Sequence, residues 1–197
     1  MRILHISDTH GLHQRLTDLP AADVIVHSGD FSHSGTEKEV LDFLNWFIVL
    51  PYEHKIFVTG NHDLCLWEAE QIEDLPENVY FLQDRGVTIG DIKFYGLAYN
   101  HSEELIPKGT DVVITHEPPI MILDESAGIH WGNAPLLNRI LEVKPQYHLF
   151  GHAHESHGVL RKSNIIFSNA SLLDDRSRLV YKPRLIDIEK DNELRRH

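Results

Sequence analysis

The chain has one cysteine, Cys65, so no disulfide can form within it; beside the Asn61-His62-Asp63 stretch it is expected to pack as a small hydrophobe. No apolar run approaches the roughly 20 residues needed to span a bilayer, since even 41–50 is broken by Asp42 and Asn45. No apolar leader follows Met1, because Arg2-Ile3-Leu4-His5-Ile6 reads at once as a strand. A cytoplasmic protein without membrane contact is expected. Basic residues are scarce: 18 Lys and Arg against 30 Asp and Glu give a net charge of −12. No Lys or Arg stripe exists to release counterions from a phosphate backbone, so bulk nucleic-acid binding is disfavoured. Internal repeats, linkers and low-complexity tracts are also missing. With 42% hydrophobic and 24% charged residues, the 197 residues suit one packed domain, 1–197, as a monomer or homodimer. What is abundant is histidine, with 15 copies.

Short β-branched runs ending in polar residues recur at 2–7, 23–28, 54–59, 111–115 and 146–150, and read as strands buried on both faces. Residues 37–50 have helical spacing, with Val40, Leu41, Phe43, Leu44, Phe47 and Ile48 on one face and Thr36 with Glu39 as a capping box. A second helix is expected over 133–143, capped by Asn133 with Pro135 in its first turn. Short helices are expected after Gly11 and Asp63. From Val79 onward hairpins are predicted, 86–89 with 92–97 around Gly90-Asp91, and 159–161 with 165–168 around Lys162-Ser163-Asn164. A last strand is predicted over 179–188, and a fraying polar tail over 189–197. Alternating strands and helices with hairpins between them suggest two mixed sheets packed face to face, helices outside.

Residues able to bind metal follow predicted strands in five places: Asp8-Thr9-His10, Gly29-Asp30, Gly60-Asn61-His62-Asp63, Thr115-His116 and Gly151-His152-Ala153-His154. Loops at the carboxyl ends of strands can point short side chains at a common centre. Asp-x-His and His-x-His place alternate side chains on one side of an extended backbone. The plain alternative is that these are turn and capping residues; five blocks together speak against it.

In order and spacing the blocks resemble the calcineurin-like metallophosphoesterase superfamily, with its pattern D-x-H, G-D, G-N-H-D/E, a strand-end H, and G-H-x-H. The match covers Asp8 to His154. The wording Gly-Asp-Phe, Gly-Asn-His-Asp, Thr-His-x-Pro-Pro and Phe-Gly-His-x-His-Glu is most similar to the small metallophosphodiesterase-domain (MPPED, UPF0046-type) proteins. The resemblance implies a four-layer αββα sandwich of the α/β (α+β) class and two divalent ions. Asp8, His10 and His154 would hold one ion, Asn61, His116 and His152 the other, and Asp30 would bridge them. An anionic bridge is what two dications roughly 3.5–4 Å apart require. It further implies that His62 stays off the metals as acid or phosphate contact, with Asp63 as the local candidate to orient it. A nitrogen and oxygen donor set without thiolate suits manganese, the expected ion, and also iron, zinc or nickel.

The expected activity is hydrolysis of small phosphodiesters, cyclic nucleotides among them, by in-line attack of a metal-bridging hydroxide. A phosphomonoesterase or nuclease of the same fold, or a non-catalytic scaffold, stays open. Gly29-Asp30-Phe31-Ser32-His33-Ser34-Gly35 has no Arg to clamp a phosphate. Glu117, after the strand-end histidine, departs from the small residue usual there and could narrow the site or repel anions. Of the other histidines, His5 and His27 are expected in the core, and His54, His101, His148 and His197 at the surface or an edge. His13, His33 and His157 are open to roles behind the ligands or on the substrate. For the 128–132 loop, with His130 and Trp131, substrate recognition and a plain surface loop are both open.

Overall fold

The structure, a computed structural model, describes residues 1–189. The first half builds a sheet from β1 (Arg2–Ile6), β2 (Val24–His27), β3 (His54–Phe57) and β4 (Val79–Phe81), all parallel, with helix α1 (Glu37–Phe47) between β2 and β3. The second sheet contains β5 (Arg85–Ile89), β6 (Ile92–Gly96), β7 (Val112–Ile114), β10 (Tyr147–Phe150), β11 (Gly158–Lys162) and β12 (Ile165–Asn169). A two-stranded ribbon, β8 (Glu125–Ser126) and β9 (Ile129–His130), precedes helix α2 (Ala134–Val143), and β13 (Arg184–Asp187) returns antiparallel to β1. The strand orders are β13-β1-β2-β3-β4 and β11-β12-β10-β7-β6-β5.

Side-chain alternation along the strands builds three apolar layers. Ile3, Val24, Val26 and Ile56 of the first sheet meet Val112, Ile114 and Leu149 of the second in the central layer. Their sequence neighbours Leu4, Ile25 and Phe57 face outward onto Phe43 and Phe47 of α1. On the far side Val113 and Phe150 meet Leu136 and Ile140 of α2. Two mixed sheets between flanking helices follow from this pattern.

Differences from the expected elements have local causes. Helix α1 stops at Phe47, ahead of Pro51, which disfavours helical backbone at the residue before it. Its capping box is formed as expected. The helices expected after Gly11 and Asp63 are single turns, His13–Arg15 and Leu64–Leu66. β4 pairs in parallel with β3 instead of forming a hairpin. In the β11–β12 hairpin Lys162 pairs with Ile165, leaving a two-residue turn in which Ser163 and Asn164 both have positive φ. The last strand covers only Arg184–Asp187; before it the chain is held to Leu172, whose carbonyl accepts from Val180 and Tyr181 N–H. The expected 189–197 tail lies outside the described residues from 190 onward. Cys65 is exposed, its neighbour Leu66 having taken the buried position.

Candidate metal centre

Parallel pairing puts the carboxyl ends of β1, β2 and β3 at one edge of the first sheet, and those of β7 and β10 at one edge of the second. A bridge between Ser7 and Ser171 joins the two edges. The β1 and β2 loops are zipped by backbone bonds from Asp8 to Gly29, His10 to Asp30 and Gly11 to Phe31. Asp8, His10, Asp30 and His152 all have positive φ. Backbone so disfavoured persists only where its surroundings over-determine it, as at functional sites.

All seven expected ligands meet at this edge. Asp8, His10 and His154 bring donor atoms within 4.8 Å of one another, and so do Asp30, His116 and His152. The two groups adjoin: His10 Nε2 is 3.7 Å and His116 Nε2 3.3 Å from Asp30 Oδ2. Asn61 Oδ1 lies 2.9 Å from His116 Nε2 and 3.0 Å from His152 Nδ1. His62 also comes within donor range of His10 and Asp30.

The chemistry of this donor set fits metal. Nδ1 of His10 donates to Ser32 O (3.2 Å), that of His116 to Ser28 O (3.0 Å) and that of His154 to Asp174 O (3.2 Å). A carbonyl only accepts, so each neutral ring carries its hydrogen on Nδ1 and turns the Nε2 lone pair inward. Lone pairs, the Asn61 oxygen and two carboxylates converge, an arrangement that a cation resolves. The same electrostatics show in proton affinity. Burial opposes charge on His116, yet the Asp30 and Asp8 carboxylates raise its pKa to about 10. Burial and the His116 charge lower His152 to about 4. Asp8 is fully buried, but the hydrogen bond to His154 and the charges of His116, His154 and His10 hold it well below the carboxylate range. Ions entering here displace protons.

Close approach of backbone to ligand requires glycine twice. A Cβ on Gly60 would stand 2.1 Å from Asp30 Oδ1, and one on Gly151 2.1 Å from Asp8 Oδ2.

The structure gives Asp63 a different place from the one expected. Its buried carboxylate makes no contact with the His62 ring; it accepts from Asp30 N (2.8 Å), Gly60 N (2.9 Å), Ser32 N (3.0 Å) and Ser32 Oγ (2.7 Å). Burial and the Asp30 charge push its carboxyl up, against the pull of these donors. What orients His62 is the carbonyl of His33, 2.7 Å from Nδ1. Sequence reasoning missed that carbonyl, and also Ser171, whose Oγ donates to Asp8 Oδ2 at 2.8 Å. Neither leaves a mark in spacing or composition.

His5 and His27 are buried as expected, but so is His148, expected at the surface or an edge and found on the inner strand β10. His13 packs on Phe43 and Trp46 with Nε2 3.2 Å from Asp42, behind the ligand loops. His157 stacks on Tyr181 and donates to Ser171 O. Within the largely exposed 128–132 stretch Ile129 and His130 form β9, paired with β8, with His130 bound to Asp124 and the Trp131 indole N–H to Ser126 O.

A two-sheet α/β fold carrying two carboxylate–histidine triads at converging strand ends defines a metallophosphoesterase centre. Residues 1–156 match the calcineurin-like phosphoesterase family, and the chain belongs to it. A UPF0046 protein of Caenorhabditis elegans is 34% identical over 221 residues, covering 96% of this chain and 76% of the relative. Human metallophosphoesterase domain-containing protein 1 is 31% identical, with 95% and 71% covered. Among solved structures, a Thermus thermophilus protein shares the fold at a TM-score of 0.61 with 16% identity, covering 94% of this chain and 98% of that one. A structure described as a novel archaeal phosphodiesterase does so at 0.53 with 18% identity, covering 94% and 100%.

Proposed function

We propose that this phosphoesterase is a dinuclear, manganese-dependent enzyme that hydrolyses small phosphodiesters, cyclic nucleotides among them. The observation that carries the dinuclear reading is the pair of donor triads meeting at Asp30. Two dications, when bound there, lower the pKa of water and neutralise charge on the phosphoryl oxygens. The chain supplies the rest. Asp30 Oδ1 accepts from the His62 backbone N–H at 2.8 Å, which fixes the proposed bridge and the proposed acid relative to each other. His62 donates Nδ1–H to His33 O, which leaves Nε2 as the nitrogen from which the imidazolium form would give a proton to the departing oxygen.

Preference for diesters is supported by a narrow crevice of about 10 Å³ beside His116, lined by Tyr99, Glu103, Glu117 and Asn133 and by no Lys or Arg. The Asn133 amide donates to Glu103 and, more weakly, to Glu117, holding both carboxylates there. A monoester brings two negative charges to these groups and a diester only one. This is the anion-repelling role expected of Glu117. The archaeal phosphodiesterase with this fold agrees with that choice. The test is to strip the protein with chelator, reload it with Mn²⁺, and compare bis-nitrophenyl phosphate, nitrophenyl phosphate and cyclic nucleotides. Metal-dependent turnover with diester favoured is expected, and Glu117→Gln should narrow the gap. Full activity in chelator, or monoester preference in the parent protein, refutes the reading.

A further inference from the structure

We propose that the His33 imidazole is a substrate contact, which holds a phosphate oxygen beside His62 on the side of the centre held by His10. The inference rests on the phosphoesterase reading above. Three imidazoles form a triangle at this side: ring centroids are 4.7 Å apart for His10 and His62, 6.1 Å for His33 and His62, and 6.3 Å for His10 and His33. His10 is committed to the metal triad and His62 to the His33 carbonyl through Nδ1. The His33 ring is exposed, and neither of its nitrogens has a hydrogen bond among the described residues.

The turn that carries it is nevertheless held on every side. Its backbone N–H donates to Glu39 Oε1 at 3.3 Å and its carbonyl accepts from His62 Nδ1 at 2.7 Å. Ser32 Oγ, which donates to Asp63, lies 3.0 Å from His62 O, and Cys65 N–H donates to Gly35 O at 3.2 Å. Gly35 permits this approach, since a Cβ there would meet His62 O at 2.5 Å. Free donors are thus presented from a fixed backbone, which lowers the entropy lost on binding.

The reach is adequate. An imidazole centroid stands about 4 Å from the acceptor of its N–H. Two rings 6.1 Å apart can therefore meet one oxygen, or two oxygens of one phosphate. In the segment Gly29-Asp30-Phe31-Ser32-His33-Ser34-Gly35, His33 is the only side chain with an N–H to offer an anion.

The experiment measures inorganic phosphate binding to the metal-loaded protein by calorimetry, alongside turnover of bis-nitrophenyl phosphate. His33→Ala removes the ring and keeps both backbone contacts. It should retain two ions and an unchanged melting temperature, weaken phosphate about 5–10-fold and raise KM in parallel, with little effect on kcat. His33→Gln, which restores an N–H, should recover part of the loss, and His54→Ala on the opposite part of the first sheet should change nothing. Unchanged phosphate affinity in His33→Ala, loss of a metal ion, or an equal loss in His54→Ala overturns the inference. If the parent protein binds phosphate through His33 yet turns over no phosphoester, the inference stands and the enzymatic reading fails. If the metal-loaded parent protein does not bind phosphate, the inference fails.

Discussion

Asp63→Asn separates two accounts of the same residue. If Asp63 oriented His62, the neutral variant would keep its fold and metal and lose rate on poor leaving groups. The observed hydrogen bonds point elsewhere. Oδ2 accepts from Asp30 and Gly60 N–H, and Oδ1 from Ser32 N–H and Oγ. An asparagine amide must present its NH₂ to one of these pairs. Facing Asp30 and Gly60, it strands two buried N–H groups. Facing Ser32, it keeps a partner by donating to Oγ but strands the Ser32 N–H. The cheaper orientation loses one charge-assisted hydrogen bond and leaves one buried donor unmade, about 2–4 kcal/mol. Removing a charge beside Asp30 returns part of this, so about 2 kcal/mol of net destabilisation is expected, from a total of about 5–15.

For a chain of this size that is roughly 4–8 °C in melting temperature. The loops bearing Asp30 and Asn61 loosen together, so metal affinity should fall as well. The assay is denaturant unfolding with metal analysis, followed by turnover at saturating Mn²⁺. Expected are a lowered midpoint, weaker metal retention, and a rate that returns to within about tenfold of the parent when metal is in excess. An unchanged midpoint and metal content with a rate down about 100-fold on alkyl esters alone refutes the reasoning and returns Asp63 to the orienting role.

Gly60→Ala should weaken binding of both ions, since its Cβ collides with the bridging Asp30, and Gly151→Ala should abolish tight binding of the ion on Asp8, since its Cβ collides with Asp8 Oδ2 and Ser7 Oγ, with native far-ultraviolet circular dichroism in both; two tightly held ions in either variant contradicts this close packing. His62→Ala should keep both ions and lose about 10²–10⁴-fold on alkyl diesters but much less on nitrophenyl diesters, as general-acid loss requires; a lost ion makes His62 a ligand, and an equal loss on all leaving groups makes it a phosphate contact. Burial lowers His148 to about 3, so below about 6.5 the unfolded chain takes up a proton that the folded chain refuses. Its stabilising contribution is complete above that pH and fades as pH falls towards 3, at about 1.4 kcal/mol per unit. Between pH 6.5 and 5 the unfolding free energy of the metal-free parent should therefore fall by about 2 kcal/mol more than that of His148→Gln; parallel curves count against a neutral buried His148.

The parts legible in the sequence are those set by periodicity or by side-chain type at strand ends. Alternation along 2–7, 23–28 and 54–59 gave both faces of the first sheet, since Ile3 and Leu4, or Ile56 and Phe57, must enter different layers. The Thr36–Glu39 box was legible too, but not that Glu39 also takes the His33 and Ser34 N–H groups. His148 was misplaced because its hydroxyl partner, Thr115, comes from a strand 33 residues earlier. The role of Asp63 could not be read at all: three of its four donors, Asp30 N–H, Ser32 N–H and Ser32 Oγ, lie in the loop after β2 and meet it only after β2 and β3 pair. Orientation by carbonyls, as at Ser28, Ser32, His33 and Asp174, is likewise invisible to residue type.

Those same contacts decide how far the centre depends on metal for its shape. Thr115 Oγ1 donates to Glu117 O and so accepts from His148, which pins the strand end before His116. Thr9, between Asp8 and His10, is bound to His27, while His5 joins Ser28 to Ser168 across the two sheets. The loops that carry Asp8 and His10, Asp30, and His116 are therefore tied from beneath by buried imidazole–hydroxyl pairs, and the rings of His10, His116 and His154 are held by carbonyls on Nδ1. Within low-dielectric surroundings these imidazole–hydroxyl bonds are strong, although Nδ1 of His27 and of His148 is left buried without a partner among the described residues. The four positive-φ ligand residues sit among these protein contacts, which lower the cost of ordering the chain around a cation. This explains why, of 15 histidines, so many stand behind the site: they hold the geometry that the ligands need.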